Sequence, residues 1–284
     1  MWQCLIIVPQ SINPGIDKHK KVMKEKALAA FRNYVSLYDA GDIKIKLKID
    51  HTYRVADIAG RIGSSVGADP DFCWFLGLLH DIGRFEQLTQ YGTFIDRDSV
   101  DHAELGADIL FCDGLIDDFP SGFFARPDTG EAGHQRSIAE TAIRLHNKLK
   151  LPDDLDDLTL FYCKILRDSD KCDIMRVLTE PPYDERNRNI IAGSKDGTMP
   201  PARDEVMECV YQHRCVPKTF ERTDFESLIS QCCMCFELEF PESRSIVAAQ
   251  GYLDRLMNLD VSDNLMKQQL LTLRTEMEKA AKSA

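Results

Sequence analysis

A histidine-aspartate pair and a scatter of matching residues carry the chemistry of this chain. His80 and Asp81 close an apolar run, Cys73-Trp74-Phe75-Leu76-Gly77-Leu78-Leu79, and Ile82, Gly83 and Arg84 follow at once. A buried helix stripe that ends in an imidazole and a carboxylate needs compensation, because burying such groups alone is costly. A divalent cation supplies it. His51 lies upstream, and an acidic segment with Asp168, Asp170 and Asp173 lies downstream. Imidazole and carboxylate donors suit Mn, Fe, Co, Ni, Zn and, less well, Mg. Adjacent residues stand about 100° apart around a helix axis, yet at a helix end both can turn toward one ion. Four such ligands leave positions open for water and substrate on an octahedral ion. That ion acidifies its water and polarises a phosphoryl oxygen, and phosphoryl transfer depends on this neutralisation of charge. Arg84 could reach a phosphate oxygen from three positions beyond His80-Asp81. Lys171 stands beside Asp170, and either cation could offset developing charge.

These residues need helices to position them. Apolar spacing predicts a first helix over 17–39, with Val22, Ala27, Ala30, Phe31, Tyr34 and Leu37 on one face. Residues 43–49, Ile-Lys-Ile-Lys-Leu-Lys-Ile, alternate as a strand would, or lead into the next helix. A helix over 50–66 carries His51, Val55, Ile58 and Ile62 on its buried stripe, with Gly67 after its end. Asp69-Pro70 starts another, which ends near Asp81, where Gly83 opens the backbone. Residues 89–101 read as a loop. A helix over 101–112 follows, with His102, Leu105 and Ile109 on one face. The polar stretch 119–134 is long enough to be functional or mobile. Helices are expected over 135–149, with Ile138, Ala142, Leu145 and His146 inward, and over 155–178. Residues 180–202 connect to a further set at about 203–213, 222–235, 243–258 and 262–281. Strand signals are scarce, so the fold class is all-α. The expected division is an N-terminal segment (1–42), a metal-binding core (43–180) and a helical extension packed on the same domain (181–284).

The order His51, His80-Asp81, His102, His146 and Arg167-Asp-Ser-Asp-Lys-Cys-Asp, over roughly 45–176, resembles the HD superfamily of metal-dependent phosphohydrolases. The resemblance implies a helical bundle. It implies His51, His80, Asp81 and one aspartate of the last motif as metal ligands. Ser169-Asp170-Lys171 fits the family's small-Asp-basic pattern, and Asp168 is the rival. Members with two ions add histidines at places like His102 and His146, so one ion is expected and a second is compatible. Read as residues alone, those two histidines could equally be packed ones. One two-metal branch carries a double histidine followed by Gly-Tyr-Pro. Here the second position is Asn147 and no such motif follows, which argues against a cyclic-dinucleotide phosphodiesterase of that branch.

Composition limits the partners. A net charge of -11 argues against a duplex nucleic-acid binder. It permits a small phosphorylated substrate, with a nucleotide the leading expectation. Leu5-Ile6-Ile7-Val8 is too short for a signal or membrane segment, so no membrane partner and a cytoplasmic location are expected. The 10 cysteines read as reduced thiols, and Cys232, Cys233 and Cys235 as helix-face packing. His19, His134 and His213 are expected at the surface, and Arg97 outside the site. A homodimer is compatible with the sequence. Two other functions stay open. One is a di-iron oxygenase, a chemistry known on this fold, which requires both His102 and His146 as ligands. The other is a nucleotide-binding regulatory module with a structural metal.

Overall fold

The computed structural model describes residues 14–124, 131–180, 199–217, 219–220 and 222–283. Among them there is no strand. The chain order is α1 (Pro14–Val35), α2 (Ile43–Ser65), α3 (Pro70–Leu79), α4 (Ile82–Tyr91), α5 (His102–Ala107), α6 (Glu131–Leu145), α7 (Asp157–Thr179), α8 (Asp204–Tyr211), α9 (Asp224–Cys233), α10 (Pro241–Gln250), α11 (Tyr252–Met257) and α12 (Asn264–Ser283).

Aspartates start the helices that carry the candidate site. Asp42, Asp69, Asp101 and Asp156 each accept backbone N–H groups of the first turn. Such caps satisfy donors that have no partner inside the helix. The Asp42 cap corrects the strand reading of 43–49. Those residues begin α2, and Ile45 is buried while Ile43 is exposed. The alternation is lysines around a helix, not two faces of a sheet. The first helix also ends earlier than its periodicity predicts. Val35 is its last residue, so Leu37 is 78% exposed, and Val22 is exposed too.

The α2 and α3 helices cross in backbone contact. A Cβ on Gly77 would stand 2.6 Å from the Ala56 Cα, so the two backbones touch through a glycine and an alanine. Gly83 corrects a second expectation. It does not open the backbone but sits inside α4, packed against the His102 carbonyl oxygen and the Gly106 backbone. These two contacts fix α3 on α2 and α5 on α4. The α5 helix then passes into a π-helical turn, Asp108–Cys112.

Part of the 119–134 stretch is structural. Phe119 and Phe123 are buried, and the Phe123 ring stacks on Phe75 at 4.3 Å between centroids. Residues 125–130 lie outside the described residues, and α6 already begins at Glu131, which places the exposed His134 on a helix. The expected 180–202 connection falls mostly on 181–198, also outside them.

The 243–258 segment is two helices, divided at Gly251, whose φ is +69°. Cys209, Cys232 and Cys233 sit in a second apolar cluster with Met175, Phe225 and Leu273. Burial raises the Cys233 thiol, in keeping with the packing role expected of Cys232 and Cys233, while Cys235 is half-buried. His213 is not a plain surface residue: its ring stacks on Phe236 at 4.9 Å and its Nε2 lies 2.9 Å from Glu276.

Substituting either tight glycine is expected to cost about 1–3 kcal/mol by overpacking. Chemical denaturation of Gly77→Ala and Gly83→Ala, beside Gly133→Ala as the control for a helical glycine with nothing within 4 Å, checks this. The first two should also disturb the site, because each contact holds a helix that carries a site histidine.

Candidate metal centre

Five elements meet around one carboxylate. His51 comes from the first turns of α2, His80 and Asp81 from the turn between α3 and α4, His102 from the start of α5, His146 from the residue after α6, and Asp170 from the middle of α7. All but Asp170 are fully or nearly fully buried. Asp81 Oδ2 lies 3.6 Å from His51 Nε2 and 3.4 Å from His80 Nε2. Its other oxygen, Oδ1, lies 3.6 Å from His102 Nε2 and 3.8 Å from His146 Nε2. Asp170 Oδ1 completes the first group, at 3.1 Å from His51 Nε2 and 3.7 Å from His80 Nε2. The six side chains named from the sequence as ligands are thus brought together in two groups that share Asp81.

The far side of each ring sets its tautomer. His80 Nδ1 lies 2.7 Å from the Gly77 carbonyl and His146 Nδ1 2.7 Å from the Ile143 carbonyl. A carbonyl only accepts, so both Nδ1 atoms carry the proton. His51 Nδ1 lies 2.7 Å from Asp173, and His102 Nδ1 2.8 Å from Asp96. Each neutral ring therefore turns a bare Nε2 lone pair inward. Outer partners of this kind orient metal-binding histidines.

The lone pairs lack protein donors. His51 Nε2 and His80 Nε2 are buried with no hydrogen-bond partner. His102 Nε2 and His146 Nε2 face each other at 3.0 Å. Burial and the nearby Arg84 push the His102 imidazole down to about 4. Burial and the two neighbouring histidines push His146 down to about 3. At neutral pH two unprotonated nitrogens therefore confront one another, a repulsion that a cation relieves. Two carboxylates complete a donor set that fits one or two divalent ions.

Asp81 is the one carboxylate both groups use. Burial would raise its pKa, but Lys48, His80 and Arg84 outweigh that and hold it well below the usual range. Lys48 Nζ sits 2.7 Å from Asp81 Oδ2. Burial also opposes ionisation of Asp170, and the His51 and His80 rings overcome it. For His51, Asp170 and Asp173 outweigh burial and Lys48, so its pKa is raised. A cation at its Nε2 therefore competes with a proton more there than at His102 or His146.

Asp168, the rival to Asp170, points elsewhere. Its Oδ2 accepts from the Glu239 and Phe240 N–H groups at 2.9 and 3.1 Å, so it ties the start of α10 to α7. Arg84 stays at the site, 3.5 Å from Asp81, but is also held by Gln87, Asp96 and the Phe94 carbonyl. Lys171 faces the cavity above the cluster and reaches Glu237 at 3.3 Å. Arg97 is exposed and pairs with Asp98, outside the site as expected.

Lys48 and Asp96 are not marked as site residues by the sequence, and Asp173 is marked only as part of the acidic segment. Lys48 was hidden in the alternating run 43–49, although it precedes His51 by three positions on the same helix. Asp96 lies in a loop whose residue types carry no code. Asp173 had a signal: it follows Asp170 by three positions and so shares its helix face. Arg54 clamps it at 2.7 and 2.8 Å.

Removing the outer partner should loosen the site without removing a ligand. Asp173→Asn is expected to weaken metal affinity about 10–100-fold, checked by competition with a metal-binding dye. The pH dependence of the metal-free protein follows from His102 and His146. In the unfolded chain both take up a proton near the ordinary histidine value of about 6.5; in the folded one only near 4 and 3. Unfolding therefore takes up about two protons as pH falls from about 6.5 toward 4, and stability drops by about 1.4 kcal/mol per pH unit per proton. Urea titrations across that range should show the fall, and His102→Gln with His146→Gln should flatten it.

Comparison with protein families agrees with this geometry. Residues 49–175 match the family model described as HD domain. Neither the curated proteins nor the solved structures give a match. The HD family consists mostly of metal-dependent phosphohydrolases, and no helix among the described residues is long and apolar enough to cross a membrane. The matched stretch, under half of the chain, runs from α2 to α7 and holds all six of the gathered histidines and aspartates, so over residues 49–175 the chain is similar to an HD domain.

Proposed function

We propose that the protein hydrolyses a small phosphate ester, with a nucleotide the leading candidate, through a metal-activated water. The observation that carries this reading is the convergence of four bare Nε2 lone pairs on the two oxygens of Asp81. A purely structural metal is satisfied by a closed set of four ligands. Here one group of four donors and one of three share Asp81, so each leaves positions open on a six-coordinate ion, beside a cavity of about 280 Å³. His51, His80, Asp81 and Asp170 would hold one ion, and His102 and His146 with Asp81 would hold a second. Bound there, a divalent ion supplies Lewis acidity and lowers the pKa of its water.

The chain's own residues supply the rest. Asp96 and Asp173 hold two imidazoles in the orientation that ligation needs. Lys48 and Arg84, both lining the cavity beside Asp81, can receive phosphoryl oxygens and spread the charge that develops on them. Burial of the cluster strengthens each of these interactions relative to water.

A second reading has its own support. A di-iron oxygenase needs both later histidines as ligands, and His102 and His146 turn their Nε2 atoms to the same Asp81 oxygen. A panel of nucleotides and sugar phosphates, assayed with each candidate metal and with chelator, separates the two. Hydrolysis that chelator abolishes, and that Asp81→Asn lowers by at least about 1000-fold, is the expected result. Oxygen consumption by a protein holding two irons, with no phosphate released from any ester, would replace the hydrolase reading with the oxygenase one.

A further inference from the structure

The cavity over the His/Asp cluster extends past it. Six basic side chains line it, Lys48, Arg84, Lys148, Arg167, Lys171 and Arg222, against four acidic ones, Asp81, Asp96, Asp170 and Glu237. Six against four leaves a net charge of +2 on the lining before any cation is counted, in a chain whose net charge is -11. This concentration is local, although Asp101, outside the lining, takes up the Lys148 charge.

Five of the six basic groups fall into two sets, and the sixth, Arg222, donates to the Val216 and Pro217 carbonyls. Lys48, Arg84 and Lys148 lie on carboxylates: Asp81 at 2.7 Å, Asp96 at 3.0 Å and Asp101 at 2.6 Å. Arg167 is different. No carboxylate among the described residues pairs with it. It is buried, and its guanidinium donates to the carbonyls of Leu145, Lys148 and Leu149. Those carbonyls, at and just past the end of α6, fix the fork in place but do not neutralise it. A buried cation without a counter-charge is costly, and one placed on a cavity wall is compensated by an anionic ligand. Lys171, four positions further along α7, faces the same space, and its Nζ lies 3.3 Å from Glu237, a long contact for an ion pair. Arg167 precedes Asp170 by three residues of α7, about 4.5 Å along the axis. Ile174, a turn beyond Asp170, joins Val216 and Met234 of the C-terminal region in an apolar wall.

We infer that this end of the cavity is a second anion subsite. The substrate carries, besides the phosphoryl group that meets the His/Asp cluster, a second oxyanion read by Arg167 and Lys171. An uncharged middle lies against Ile174, Val216 and Met234. The inference rests on the reading of the cluster as a phosphohydrolase centre. It adds a selectivity for doubly anionic esters, with two of the three wall residues supplied from beyond the matched residues 49–175.

Binding, not turnover, is the test. Titration calorimetry on the full-length, Mn-loaded protein compares two ligand pairs that differ in the second anion. Adenosine 5′-monophosphate and adenosine 3′,5′-bisphosphate test a second phosphate. Glycerol 3-phosphate and 3-phosphoglycerate test a carboxylate. In at least one pair the doubly anionic member should bind about 10–100-fold tighter, the range of a charge-assisted hydrogen-bonded contact. Arg167→Gln should remove that gain and change the singly anionic partner's Kd by less than about 3-fold. Arg167→Lys should keep part of it. Because Arg167 also holds the end of α6, Lys171→Met serves as an independent variant, expected to remove about 3–10-fold of the gain with an unchanged Tm. Equal affinities within both pairs, no binding of either doubly anionic ligand, or an equal loss for both members of a pair in folded Arg167→Gln would overturn the subsite. Discrimination without hydrolysis of any of the four would support the subsite and count against the hydrolase. Hydrolysis without discrimination would do the reverse.

Discussion

Four imidazoles that each spend the Nδ1 proton on an outward acceptor leave four bare Nε2 atoms around one carboxylate. Much of the inner bundle can be understood as the means of holding that arrangement. Two of the acceptors are backbone carbonyls one turn back on the same helix, Gly77 for His80 and Ile143 for His146. Two are carboxylates brought from other segments, Asp173 for His51 and Asp96 for His102. The first kind is local and forms with the helix end. The second kind requires tertiary structure, and it explains why α7 and the 92–101 loop must dock correctly before the site exists.

That requirement shapes the packing. His51 and His80 come within 5.3 Å, centroid to centroid, because α2 and α3 touch at Ala56 and Gly77. His102 is delivered by the contact of Gly83 with α5. Asp168 faces away from the cluster and anchors the backbone at Glu239 and Phe240, tying the C-terminal helices to α7. One helix, α7, thus presents Asp170 and Asp173 to the centre, Arg167 and Lys171 to the cavity, and Asp168 to the extension. Charge at the centre is balanced in the same way. Lys48 and Arg84 offset Asp81 on two sides, so a buried carboxylate stays ionised and ready for a cation.

Much of this was legible in the sequence. Helix class, the Asp69-Pro70 start, and the gathering of His51, His80, Asp81, His102, His146 and Asp170 could be read because types and spacings were local signals. The strand-like run 43–49 misled because alternation of period two was read without the Asp42 cap that begins a helix there. Gly83 misled because a glycine required by a close helix approach looks the same in sequence as one that frees the backbone. Lys48 and Asp96 were not legible, since their roles depend on contacts with residues 33 and 6 positions away that no periodicity marks. The choice between Asp168 and Asp170 rested on a family pattern, and the structure separates them by direction: one faces the histidines, the other the α10 backbone.

The central claim is that these lone pairs hold cations, and the most direct measurement is metal content by mass spectrometry. The protein would be purified without chelator, as wild type and as the double variant His80→Ala with Asp81→Ala. The account predicts one or two divalent ions per chain in the wild type and their loss in the double variant, since Asp81 serves both groups. A wild type that holds no metal, even after incubation with Mn and Fe, would contradict it.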